Sequence, residues 1–272
     1  MNAVARIEYV ESGAGPTIVL VPGSLSTGAA WKPIVASLEG FFRIVTTSLL
    51  GNGATDERRT MANPSIEPQV DTLEWVVRRA AGNGRAVHVV SHSYGGVGLL
   101  AMMLRGAMPI ASLVLIEANP ADVLRQAGEL ELFSAFRTMS DAYSEAFAAG
   151  EPDAVARVVD FYSGAGSFAS FPARVREYLV AHTQSNVLDW KSMYGFDAPL
   201  GAYASIAIPT LIVRGTQGHA AMNRIGELLH RHIPGASLVS IDDASHFLLA
   251  THAARLARLI ADHVTRVEAA AT

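Results

Sequence analysis

The sequence predicts an α/β protein: a mostly parallel central sheet of about eight strands, helices on both faces, and a helical segment inserted after the sixth strand. Three observations carry this expectation. Short unbroken runs of Val, Ile and Leu recur along the chain, as in strands covered on both faces. Stretches with apolar residues at helical spacing lie between them, the pattern of strands joined by helical crossovers. Residues 119–205 break the rhythm, with no buried-strand signal and many Ala, aromatic and helix-forming residues.

Residues 4–10 alternate loosely and read as an edge strand. Residues 17–21 are continuously apolar and end in the break Pro22-Gly23-Ser24, after which 31–38 look helical. Residues 43–47 form the next strand, closing near Gly51-Asn52-Gly53. A polar, proline-containing segment, 56–68, precedes a helix whose Val70, Leu73, Val76, Val77 and Ala80 share one face. Residues 87–90 are a strand, 97–104 a Leu/Met-rich helix, and 112–116 a strand closing on Glu117. Within the helical segment, 123–139, 153–162 and 173–183 read as helices, punctuated by breakers such as Gly164-Ala165-Gly166. The last strands are 209–213 and 237–241, with a helix over 222–232 between them. A closing helix spans 247–267 with Leu256, Leu259, Ile260 and Val264 on one face, and the Ala-rich end beyond it is expected to fray.

Composition narrows the function. Half of the 272 residues are apolar and 17% are charged, enough for a substantial core. A net charge of −4 and the lack of a Lys/Arg cluster argue against nucleic acid or an anionic membrane as partner. The absence of cysteine excludes disulfides, thiol catalysis and thiolate metal sites. Residues 1–15 hold no apolar leader core and no stretch reaches membrane-spanning length, so the cytoplasm is the expected location. The histidines and carboxylates show no metal-ligand spacing such as H-E-x-x-H, and no cofactor is expected. The oligomeric state is left open.

The chemistry centres on Ser91-His92-Ser93-Tyr94-Gly95-Gly96, between a buried strand and a helix. A serine at the apex of so tight a turn is lifted above the sheet edge, and small flanking residues let strand and helix nearly touch. The pattern is the nucleophile elbow G-x-S-x-G with Ser91 in place of the first glycine; the bland alternative is an ordinary turn with a capping serine. A serine hydroxyl needs a base, the base an orienting acid, and the forming oxyanion N–H donors. Ser93 is the candidate nucleophile and His246, between the last strand and last helix, the candidate base. Among the other histidines, His219 is the competitor, just past a strand end. His88 reads as packed or paired, His92 as pointing away, and His230, His232, His252 and His263 as solvated on helices. The N–H of Tyr94 and that of Ser24, with Leu25 the alternative, are the candidate oxyanion donors.

These motifs resemble the α/β-hydrolase fold, in its capped esterase/haloalkane-dehalogenase-like branch with a serine nucleophile. The resemblance spans nearly the whole chain. It rests on Val21-Pro22-Gly23-Ser24, Gly51-Asn52-Gly53, the Ser93 elbow, Pro209-Thr210-Leu211-Ile212-Val213-Arg214-Gly215 and Ala244-Ser245-His246-Phe247, in the family's order. It implies a core of residues 1–118 and 206–272 and a helical cap of 119–205. Departures are informative. Pro22 stands where the family usually has His, and Ser48 where Asp often precedes Gly-x-Gly. Gly218 occupies the position that usually supplies the acid. Glu117, 24 residues beyond Ser93 and at a strand end, is the leading substitute, since some family members carry their acid there. Asp243 and Asp197 are the alternatives.

The leading expectation is a serine hydrolase of small or medium carboxylic esters acting through an acyl-enzyme, with a small apolar ester-like substrate. Leu25, Phe136, Trp190 and Phe247 are the candidate substrate contacts, though large apolar residues of the helical segment, among them Phe133, Met139, Phe161, Phe168, Met193 and Tyr194, read mostly as its own core. A hydroxynitrile-lyase-like or C–C bond-cleaving enzyme would use the same residues, with Lys191 as a candidate extra cation. A non-catalytic ligand-binding protein is the third reading, supported by the empty acid position at Gly218.

Overall fold

A computed structural model describes residues 5–82 and 84–271. In chain order its elements are β1 (Val10–Ser12), β2 (Thr17–Val21), α1 (Lys32–Leu38), β3 (Arg43–Thr46), α2 (Glu67–Ala81), β4 (Val87–His92), α3 (Tyr94–Arg105) and β5 (Ile110–Ile116). There follow α4 (Asp122–Gln126), α5 (Leu130–Ala148), α6 (Ala156–Ser163), α7 (Ser167–Ser170), α8 (Ala173–Ala181) and α9 (Thr183–Gly195). The chain closes with β6 (Thr210–Gly215), α10 (Ala220–His232), β7 (Ser237–Ile241), α11 (Leu248–Thr251) and α12 (Ala253–Ala270). Among the described residues the sheet order is β1-β3-β2-β4-β5-β6-β7, with only β1 antiparallel to its neighbour.

The apolar runs split between two faces because side chains alternate along a strand. Val19 and Val21 of β2, Val89 of β4 and Leu113 and Leu115 of β5 join the core under α2, α3 and α10. Ile18, Leu20, Val90, Val114 and Ile116 join the opposite core under α1 and α12. A strand buried on both sides therefore reads as an unbroken apolar run.

Five expectations need correction. The sheet has seven strands among the described residues, not about eight, and the helical segment follows the fifth strand rather than the sixth. The edge strand is Val10–Ser12, not 4–10; Val4 lies outside the described residues. The Arg6 N–H donates to Asp56 Oδ2 and the Glu8 N–H to Thr55 Oγ1, so side chains of the 55–56 loop take the donors that a ladder would use. Residues 123–139 are two helices, broken at Gly128, where φ is +79°. The Ala-rich end does not fray early: α12 runs to Ala270, in keeping with the helix propensity of alanine.

Candidate active site

The Ser93 turn forms because glycine occupies the two positions where backbones collide. A Cβ on Gly95 would strike the Pro22 carbonyl oxygen, and one on Gly96 would lie 2.5 Å from Ala118 Cβ. Ser93 itself has φ +52° and ψ −129°, held by its N–H donating to Ile116 O at 3.0 Å and its carbonyl accepting from Gly96 N at 2.8 Å. Its side chain makes no capping hydrogen bond to α3, which removes the bland explanation of the turn. Ser91 fits in place of the usual glycine, but its buried Oγ has no hydrogen-bond partner among the described residues. An unmet buried hydroxyl costs about 1–3 kcal/mol. Ser91→Ala is therefore expected to melt at or above the wild-type temperature; a clearly lower Tm would show that the hydroxyl is bonded.

The sheet brings three predicted residues into one line. His246 Nε2 is 3.0 Å from Ser93 Oγ, and His246 Nδ1 is 3.2 Å from Glu117 Oε2. All three are buried. Glu117 reaches inward from the end of β5 with φ +48°, and its Oε1 accepts from Gly215 N at 2.8 Å. A Cβ on Gly218 would lie 3.7 Å from Glu117 Oε1, so this carboxylate reaches the space beside the vacant acid position. The alternatives point elsewhere: Asp243 Oδ1 accepts from Gln217, and Asp197 accepts from Arg125 and Gln126 on the surface. Among the described residues the four non-glycine residues with positive φ are Leu25, Ser93, Glu117 and Asp243. One is the serine, one the carboxylate facing His246, one a lining residue of the cavity beside Ser93, and one belongs to the loop carrying His246. Each such conformation stores strain of about 1–3 kcal/mol, and all four lie in or beside the cluster of Ser93, His246 and Glu117.

His246 is held by its neighbours as well as by hydrogen bonds. The Tyr162 ring stacks on it at 4.1 Å and 11°, and Tyr162 Oη accepts from Asn119 Nδ2. On another side His92, predicted to point away, instead sets its Nε2 2.9 Å from the His246 carbonyl oxygen, with ring centroids 5.0 Å apart. The alternation of β4 carries it there: His88, Val90 and His92 share a face, and His92 is last, at the sheet edge. Burial, with the His246 ring a smaller contributor, pushes His92 down to about 3. Because this folded-state value lies below the unfolded 6.5, the neutral ring contributes stability above pH 6.5 that is lost as pH falls towards 3. The loss reaches up to about 1.4 kcal/mol per pH unit for this one group. Chemical denaturation of His92→Gln from pH 7 to pH 4 is expected to show a shallower decline than wild type; parallel profiles would refute this.

The remaining histidines do not compete. His219 Nδ1 accepts from Ala221 N at the start of α10 and its ring stacks on Phe161 at 4.4 Å. His88 is paired as expected, Nδ1 with Ser112 Oγ at 2.8 Å and Nε2 with Glu268 at 3.2 Å. His263, predicted as solvated, is buried, because it falls on the Leu256–Ile260–Val264 face of α12.

A cavity of about 560 Å³ opens over Ser93. Of the candidate substrate contacts, Leu25, Trp190 and Phe247 line it, with Val158, Val159, Tyr162, Phe171, Leu179 and Met193. Phe136 does not: it is fully buried against Phe161, Tyr162 and Trp190, as core of the helical segment. Lys191 is exposed and does not line this cavity. Ser24 and Leu25 lie at its floor, and a Cβ on Gly23 would sit 2.9 Å from Ser93 Cβ, so this loop passes directly against the serine. Tyr94 opens α3, where the first N–H groups have no intrahelical acceptor.

Sequence reasoning missed a charged pair at the cavity wall. Arg59 Nη1 lies 2.8 Å from Asp189 Oδ1, with both side chains fully buried. Burial acts to lower Arg59, but the Asp189 and Glu57 carboxylates outweigh it and the guanidinium is raised. Burial pushes the Asp189 carboxyl up to about 6, against the pull of Arg59 and of the Ser24 hydroxyl. The available signal was a lone carboxylate in Asn186-Val187-Leu188-Asp189-Trp190, in a helix without a polar face.

Residues 18–259 match the sequence model of the alpha/beta hydrolase family. The chain belongs to that family. It is 24% identical over 261 residues to the polyketide synthase ThaQ of Burkholderia thailandensis, covering 91% of this chain and 12% of that protein. It is 33% identical over 100 residues to the putative carbamate hydrolase RutD of Pantoea ananatis, covering 37% of this chain and 35% of that one. The chain thus spans well under two thirds of either relative. Among solved structures, this alpha/beta hydrolase is similar to a thermophilic esterase from Thermogutta terrifontis, with TM-score 0.75 and 19% identity over 96% of this chain and 93% of that one. Among the described residues there is no group of three or more His, Asp or Glu that could hold a metal ion, and no helix long and apolar enough to cross a membrane.

Proposed function

We propose that this alpha/beta hydrolase is a serine esterase that cleaves small to medium apolar carboxylic esters through an acyl-enzyme. The carrying observation is the line Ser93 Oγ–His246 Nε2, 3.0 Å, and His246 Nδ1–Glu117 Oε2, 3.2 Å, at the floor of an apolar cavity. His246 takes the Ser93 proton as Oγ attacks the ester carbonyl and returns it to the leaving alcohol; Glu117 orients the imidazole and stabilises the imidazolium. The Ser24 and Tyr94 N–H groups receive the oxyanion, worth about 2.7–4 kcal/mol for one donor. Water, activated by the same imidazole, then releases the acyl group. Residues 119–205 act as the cap, whose Val158, Tyr162, Leu179, Trp190 and Met193 shape the apolar pocket for the substrate.

The lyase reading loses its proposed cation, since Lys191 lies outside the cavity. The binding-protein reading loses its support at Gly218, because Glu117 supplies a carboxylate to the imidazole. A panel of p-nitrophenyl esters from acetate to laurate tests the proposal. Turnover should peak at a short or medium acyl chain and be blocked by a fluorophosphonate on Ser93. No turnover across the panel, with cyanide released from cyanohydrins, would favour the lyase instead.

A further inference from the structure

Resting on the assignment of Ser93 as nucleophile and of the Ser24 and Tyr94 N–H groups as oxyanion donors, we propose that the buried Arg59–Asp189 pair is a positioning device. It fixes both donor-bearing residues and makes their alignment depend on the seating of α9.

Each link is a direct contact. Ser24 Oγ donates to Asp189 Oδ2 at 2.6 Å, while Asp189 Oδ1 faces Arg59 Nη1 at 2.8 Å. The same Nη1 donates to Tyr94 Oη and to Ser192 Oγ, each at 3.3 Å, and Tyr94 Oη is itself hydrogen-bonded to Ser192 Oγ. Arg59 is anchored from behind by Glu57, whose Oε1 and Oε2 accept from Nε and Nη2 at 2.8 Å. Four segments far apart in the chain therefore meet at one ion pair: the Ser24 loop, the 57–59 loop, the first residue of α3, and α9.

An irregular loop carrying a main-chain donor has no ladder to hold it in register. Ser24 precedes Leu25, whose φ of +56° is a strained conformation that relaxes unless its neighbours oppose it. The Asp189–Ser24 bond supplies that opposition. Stability does not require charges here, since well-packed apolar residues commonly replace a buried ion pair without loss. An apolar pair could not accept the Ser24 hydroxyl and approach the Tyr94 hydroxyl from one point. Because α9 also presents Trp190 and Met193 to the cavity, a substrate resting on this helix bears on the same pair that holds the donors.

The test is p-nitrophenyl ester turnover by wild type, Asp189→Asn, Ser24→Ala and the double variant, alongside thermal unfolding and fluorophosphonate labelling. Both single variants are expected to lose roughly 10- to 100-fold in kcat, with KM within about twofold, because a displaced oxyanion donor is felt in the transition state and not in substrate binding. The double variant should be no worse than the weaker single, since both remove one tether. Unchanged kcat, a raised KM with kcat intact, additive losses, or losses that track the unfolded fraction would each overturn the proposal. If Asp189→Asn does not fold, Ser24→Ala decides alone, as it leaves the ion pair whole. A wild type that neither turns over nor labels would fail the nucleophile assignment, and the positioning role with it. A wild type that labels and turns over beside indifferent variants would fail the positioning role only.

Discussion

Ser93→Ala is expected to abolish ester hydrolysis, with kcat falling roughly 10⁵–10⁶-fold, and to abolish labelling by a fluorophosphonate. The residual rate should come from the cavity and the oxyanion donors, which the substitution leaves in place. Nothing else in the fold depends on the hydroxyl. Among the described residues it makes no capping bond to α3, and its one side-chain hydrogen bond is to His246 Nε2. The strained φ of +52° and the Ser93 N–H bond to Ile116 O belong to the backbone and survive in alanine. Melting temperature should therefore stay near that of wild type while activity vanishes. Retained labelling or retained turnover would show that Ser93 is not the nucleophile.

Glu117→Gln is expected to lower kcat by roughly 10³–10⁴-fold with little change in KM, the size of effect seen when a triad acid is made an amide. The amide keeps the shape but loses the charge. It can turn an oxygen to only one of the two groups the carboxylate now serves, His246 Nδ1 and Gly215 N. Either the imidazole is left in the wrong tautomer or the end of β6 loses its hydrogen bond. In neither state is the imidazolium of turnover stabilised. Asp243→Asn should leave kcat within about twofold, because Asp243 bonds Gln217 rather than the histidine. Near-full activity in Glu117→Gln together with loss in Asp243→Asn would reverse the assignment.

Much of the site was legible in the residues. A tight turn between a buried strand and a helix is a local event, and Ser93 with its glycines announces it. Glu117 was readable as a charge at the end of an apolar run, where a parallel sheet collects its functional groups. Pocket lining was not readable at the same level. Phe136 and Trp190 are both aromatic residues of the helical segment, yet only Trp190 reaches the cavity. Hydrophobicity drives both inward and does not distinguish a core from a cavity wall. His263 shows a readable signal passed over, since its spacing from Leu256 and Ile260 already placed it on the inner face of α12.

From the residues alone follow the alternation of strand and helix, the family, the serine and its turn, and the order of serine, carboxylate and histidine. These rest on periodicity and on steric rules that act within a few neighbouring residues. Only the folded chain decides that Glu117 rather than Asp243 meets His246, that Tyr162 and His92 flank the imidazole, and that Arg59 and Asp189 pair beside Ser24 and Tyr94. Those contacts join residues dozens to more than a hundred positions apart. Their energies depend on distance and burial in space, quantities that a linear pattern of residue types does not contain.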